Sequence, residues 1–231
     1  MKKYIAALAA FATAAAFAAN TTSEVSTKGA KGWTHFASAG YSAPVSEYKV
    51  DGKDIWLASG GLNLTYMGIG KSGLAVKADV TAGVTYTDNV HLEKDDDGIA
   101  GSYVAGELGL GYGFLNTPKW TVAAFATIGF EVGSFEGDED TYEHPELGES
   151  DWTHSVTVGA LTVGGDLMVR RAIGNHLGLF ASVGGRWVPT AACLVNDKYD
   201  NDDYSRTDTV KSQKSKDGFS VVPTVGAMWR F

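Results

Sequence analysis

From residue 33 onward apolar and polar positions alternate. Residues 74–86 are the cleanest case: Leu74, Val76, Ala78, Val80, Ala82, Val84 and Tyr86 share one parity, and Ala75, Lys77, Asp79, Thr81, Gly83 and Thr85 the other. A period of two places successive side chains on opposite faces of a strand. No stretch beyond residue 32 shows the helical spacing of apolar residues. The alternation recurs at residues 103–114, 120–132, 161–170, 177–187 and 219–231, and less regularly at 33–41 and 55–66. Eight strands are predicted. At ~3.3 Å per residue the longest reach about 40 Å, well beyond what a strand in a soluble sandwich needs.

The connections alternate in length. Residues 68–73, 115–119 and 171–176 are tight turns, and the others run to about 12, 14, 23 and 30 residues. Aromatic residues gather toward the ends of the apolar faces: Trp33, Tyr41, Tyr66, Tyr86, Tyr112, Trp120 and Trp187. An apolar exterior with aromatic rims, a polar interior, and short turns at one rim with long loops at the other describe one architecture. It is an all-β, eight-stranded antiparallel up-and-down transmembrane β-barrel over residues 33–231.

Composition then reads differently. A mean hydropathy of −0.08 is the average of two opposed faces. The 29 glycines make room where eight strands converge on a narrow lumen. The formal charge is −8, with acid concentrated in the long loops. Without a basic surface, nucleic acid is not an expected partner. One cysteine, Cys193, rules out an internal disulfide and a thiolate-rich zinc site. It is placed in the last loop. Residues 1–18 have the form of a signal peptide, with Lys2 and Lys3, an apolar stretch over 5–17, and Ala16-Phe17-Ala18 before the cut. Residues 19–32 form a short lead-in.

The C-terminal segment carries Thr224, Gly226, Trp229 and Phe231 at the spacing polar-x-Gly-x-x-aromatic-x-aromatic. It resembles the β-signal of bacterial outer-membrane proteins, and the mature chain resembles small barrels of the OmpA/OmpX type. The resemblance implies residence in the Gram-negative outer membrane, recognition by the barrel-assembly machinery, and contact with outer-membrane lipid and lipopolysaccharide. A monomer without cofactors is expected. The resemblance departs from that type in that no C-terminal peptidoglycan-binding domain is expected, so tethering to the cell wall is not implied. Pro223 cannot donate to a strand ladder, and a bulge is expected there.

Eight charged residues fall on the lumenal parity: Lys77, Arg170, Arg186 and Arg230 against Asp79, Glu107, Glu131 and Asp166. They are read as a structural plug, or alternatively as a gated ion path, since OmpA-type barrels are similar in holding an internal salt-bridge network. Residues 133–154 contain eight acids and no Lys or Arg. Glu93, Asp95, Asp96 and Asp97 cluster in the preceding long loop, but Val104 stands where a calcium loop needs a bidentate Glu. Solvated acidic loops are expected rather than a metal site. The G-x-G-x-x-G of residues 68–73 joins two strands, opens no helix, and is a turn. The scattered histidines form no catalytic set, because His154 and Ser155, near Asp151, fall on opposite faces of a strand. No enzyme is expected. The sequence therefore predicts a structural or surface-binding, adhesin-like protein with an unknown external ligand, or else a narrow channel; a lipid A-modifying enzyme ranks third.

Overall fold

A computed structural model describes residues 32–50, 53–87, 99–144, 148–201, 204–215 and 218–231. The signal peptide and most of the lead-in lie outside the described residues. Ten β segments are present: β1 (Thr34–Ser42), β2 (Val45–Val50), β3 (Lys53–Ile69), β4 (Leu74–Thr87), β5 (Ile99–Asn116), β6 (Trp120–His144), β7 (Gly148–Ala172), β8 (Leu177–Asn201), β9 (Tyr204–Ser215) and β10 (Gly218–Arg230). They make eight spans. β1 and β2 both run antiparallel to β3 and both pair with β10, so they are one strand interrupted at Ala43-Pro44. β9 and β10 likewise both run antiparallel to β8. Pairing of Phe36 with Arg230 through Ser42 with Thr224 closes the ring within one chain. No described helix is long and apolar enough to cross a membrane.

The alternation sorts side chains as the sequence predicts. Leu62 (75%), Leu108 (64%), Ile128 (61%) and Val84 (65%) are exposed on the outer wall, whereas Thr65, Lys77, Thr81 and Glu107 are buried inside. In water such an exterior would be untenable; facing lipid, it is the favourable arrangement. The aromatics form two belts. Tyr66, Tyr112, Trp120 and Trp229 lie near the short-turn ends of their strands, and Trp56, Tyr86, Trp187 and Phe219 lie roughly ten residues higher. That separation matches the ~25 Å apolar band of membrane barrels. Tyr41 differs from the expected rim position: it is rooted mid-strand and leans over Gly60.

Three expectations need correcting. The long connections are not loops for most of their length. β6 and β7 pair from Trp120–Arg171 out to His144–Gly148, and β8 and β9 pair out to Asn201–Tyr204. Charged residues do not stop an antiparallel ladder whose backbone groups can pair, so the strands continue as projecting hairpins. Pro223 introduces no bulge, because β10 and β8 hold register from Gly218–Val188 to Trp229–Leu177. The irregularity falls on the neighbouring strand at Ala43-Pro44, where the Ala43 amide donates to the Pro223 carbonyl at 3.0 Å. Cys193 belongs to β8 and is buried in an apolar cluster. The acidic cluster at Glu93–Asp97 lies outside the described residues.

The turn at residues 70–73 is a turn as expected, closed by Gly70 N–H to Leu74 O at 2.8 Å. Gly73 takes φ +87°, which a side chain would strain.

Candidate functional site: the lumenal charge layer

The lumen is stacked in layers. Nearest the short turns, Phe36, Met67, Ile69, Phe125, Met168 and Phe180 are among the residues of one apolar cluster. Toward the long hairpins Tyr48, Ile55, Leu57, Phe135, Val156 and Val188 belong to another. Between them sit the charges.

Strand parity delivers five of the eight predicted charges to one point. The Lys77 ammonium, from β4, lies 2.7 Å from Asp79 Oδ2 and 2.6 Å from Glu107 Oε1, and also bonds Asp166 Oδ2. The Arg186 guanidinium, from β8, bonds Glu107 Oε2 through Nε and reaches Asp166 Oδ1 at 2.6 Å. Its Nη1 donates to the Gly165 carbonyl at 3.2 Å. Glu107 and Asp166 are each gripped by both cations. Glycines make the space: a Cβ at Gly109 would press on Phe125 and Lys77, and one at Gly184 would collide with Arg186 and Asp166.

Asp79, Glu107 and Asp166 bring their oxygens together closely enough to hold a cation. The Lys77 ammonium is bonded to all three, so a cation of the chain's own already stands in that position.

The other three predicted charges do not join the cluster. Glu131 lies in a separate layer among hydroxyls: it accepts from Tyr48, from Tyr103 at 3.2 Å and from Ser46 at 3.3 Å. Arg170 and Arg230 sit at the short-turn rim, their guanidinium groups 5.6 and 5.9 Å from the centroid of the Phe36 ring. Their polar partners are turn carbonyls, His176 O at 2.9 Å for Arg170 and Thr117 O at 2.9 Å for Arg230. A four-against-four pairing is therefore replaced by two cations against three carboxylates. The cause is depth: Arg170 and Arg230 are too near the chain turns to reach acids rooted higher on their strands.

Sequence reading missed the hydroxyl cradle of Glu131. Tyr103 shares the lumenal parity of Glu107 and was open to recognition on that ground. Tyr48 was not, because its segment reads as a loop. Smaller pairs line the rest of the lumen, including Ser59 with Thr85 at 2.9 Å, Asn63 with Thr81 at 3.0 Å and Thr224 with Ser42 at 3.0 Å. Among the described residues, two small cavities of about 30 and 20 Å³ adjoin the charge layer. Each has room for about one water molecule.

The β-signal residues occupy the closing strand. Thr224 points inward and is buried, Trp229 and Phe231 are exposed on the outer wall, and Gly226 pairs with Gly40 of β1. His176 stacks on Trp229 with ring centroids 5.5 Å apart.

No protein-family model matches the chain, and no curated relative does. Among solved structures it is similar to the outer membrane protein OprG from Pseudomonas aeruginosa, at 12% identity and a TM-score of 0.56, over 88% of this chain and 98% of that one. Ail, the attachment invasion locus protein of Yersinia pestis, in complex with the heparin analogue sucrose octasulfate, is 15% identical with a TM-score of 0.45, over 87% and 100% of the two chains. Neisserial surface protein A is 12% identical with a TM-score of 0.44, over 85% and 97%. At these identities the likeness concerns the fold, and the OprG match carries it. The chain has the fold of a bacterial outer-membrane β-barrel.

Proposed function

We propose that the chain resides in the bacterial outer membrane, where a sealed barrel anchors an acidic β-sheet that binds a ligand at the cell surface. The observation that supports this reading is the contrast along the strand axis. Inside, a charge layer lies between two apolar clusters. Outside, β6 and β7 continue for about ten residues past the last β5 pair, Gly101–Phe135. Eight acids and no Lys or Arg within residues 133–154 favour a cationic ligand, or lipopolysaccharide bridged by divalent cations. The role is binding rather than catalysis.

The test uses cells producing the full chain and a variant in which residues 137–154 are replaced by Asn-Gly. Both are exposed to immobilised basic peptides and to lipopolysaccharide with and without calcium. Retention by the full chain and loss in the variant is the expected result; equal retention contradicts the reading.

A second reading, a narrow channel, draws on the ion-paired layer and its two small cavities, since rearranging Lys77 or Arg186 would open a polar path. Single-channel recording separates the two.

A further inference from the structure

Above the aromatic belts the described residues no longer form a closed ring. β6, β7, β8 and β9 form a four-stranded sheet by successive antiparallel pairing, from Glu136–Ser155 through Val156–Val195 to Asn196–Thr209. On one side, β6 beyond Phe135 has no pairing partner other than β7 among the described residues. On the other side, β9 pairs only with β8 among the described residues, and β2 turns back at Val50. Among the described residues the sheet therefore has two edges without a pairing strand, with β9 lying near β2 but not paired to it. A free edge presents a row of unpaired N–H and C=O groups that another strand can complete.

The two edges carry opposite charge. Along β6 beyond Phe135 stand Glu136, Asp138, Glu139, Asp140 and Glu143, with no Lys or Arg. β9 carries Arg206, Lys211 and Lys214 against a single acid, Asp208. Joining like edges would set acid against acid or cation against cation, which disfavours that pairing. Joining unlike edges sets acid against cation.

Strand direction agrees. β6 runs from the short-turn rim outward, and β9 runs from the hairpin tips back toward that rim. In two copies standing the same way up in one membrane, β6 of one and β9 of the other are antiparallel, the sense of every other pair in this sheet. We propose that copies of this chain associate side by side through this unlike-edge contact, the β9 edge of one completing the β6 edge of the next. The contact is heterologous, so each copy keeps one free edge and the assembly grows as rows or closes as rings. The inference does not depend on the ligand-binding reading above, and it adds to a barrel that closes within a single chain.

The test uses the full mature chain reconstituted in liposomes, with chemical cross-linking read by denaturing electrophoresis and sedimentation in mild detergent. The wild type is expected to give a ladder of dimers and higher species. A variant reversing β9 (R206E, K211E, K214E) and a variant reversing β6 (E136K, E139K, E143K) should each lose the ladder, with association weakened at least about tenfold. Mixing the two variants, or combining both reversals in one chain, should restore it. Heat-modifiable mobility verifies that every variant is folded. A strictly monomeric wild type, or a ladder that survives both single reversals, would overturn the proposal. So would failure of the combined reversal to restore association, which would point to a different partner for these edges.

Discussion

At the residue scale, the buried ion pairs divide into groups with different energetic roles. Among the described residues Lys77 is the cation ion-paired with Asp79, and it shares Glu107 and Asp166 with Arg186. Removing one partner of a buried pair strands the others without solvent, at about 3–5 kcal/mol. Lys77→Met should therefore lower the unfolding free energy read from urea titration of the refolded barrel by an amount of that order, and an unchanged midpoint would contradict the geometry. Glu131 is different, because its hydrogen bonds among the described residues come from hydroxyls and not from a cation. Glu131→Gln keeps one acceptor oxygen and should cost about 1–2 kcal/mol, clearly less than Lys77→Met in the same assay. Because Lys77 and Asp166 bond directly, Lys77→Met combined with Asp166→Asn should cost less than the sum of the two changes, by 0.5–3 kcal/mol.

At the scale of the element, what could be read in advance followed from strand parity. Leu74 through Tyr86 assign themselves to two faces on sight, and the burial of Ala75, Lys77, Thr81 and Thr85 follows. Parity also carried Lys77, Asp79, Glu107, Asp166 and Arg186 to the same interior. It gives depth only approximately, which is why Arg170 and Arg230 were grouped with acids they do not reach. Parity also fails where no face is buried in lipid. Residues 137–154 carry no apolar stripe that marks them as strand, yet the ladder from Glu136–Ser155 to His144–Gly148 persists. The segment at 45–50 was hidden because polar and apolar residues mix on each face, Val45 with Glu47 on one and Ser46 with Tyr48 on the other. Because the upper apolar cluster already lies below the projecting hairpin, replacing residues 137–154 by Asn-Gly should leave refolding intact and shift the heat-modifiable transition by only a few degrees. A variant that no longer refolds would show that the hairpin belongs to the barrel's stabilising core.

At the scale of the whole molecule, one chain makes a ring of eight spans that is apolar outside and layered inside. Lipid requires the first property, since every backbone group must pair within the wall. The narrowness of eight strands leads to the second, since side chains then fill the interior. Phe36 and Met67 below, the Lys77–Arg186 cluster at mid-depth, and Phe135 and Val188 above leave cavities of single-water size beside the charge layer. A filled interior supports the surface-binding proposal rather than the channel.

The sealed lumen is the central claim, and conductance of the refolded mature chain in a planar bilayer tests it most directly. The filled interior predicts a silent membrane at moderate voltage, with discrete current appearing only when the charge layer is broken, as in Arg186→Ala. Steady ohmic steps from the wild-type chain, unaltered by that substitution, would contradict it.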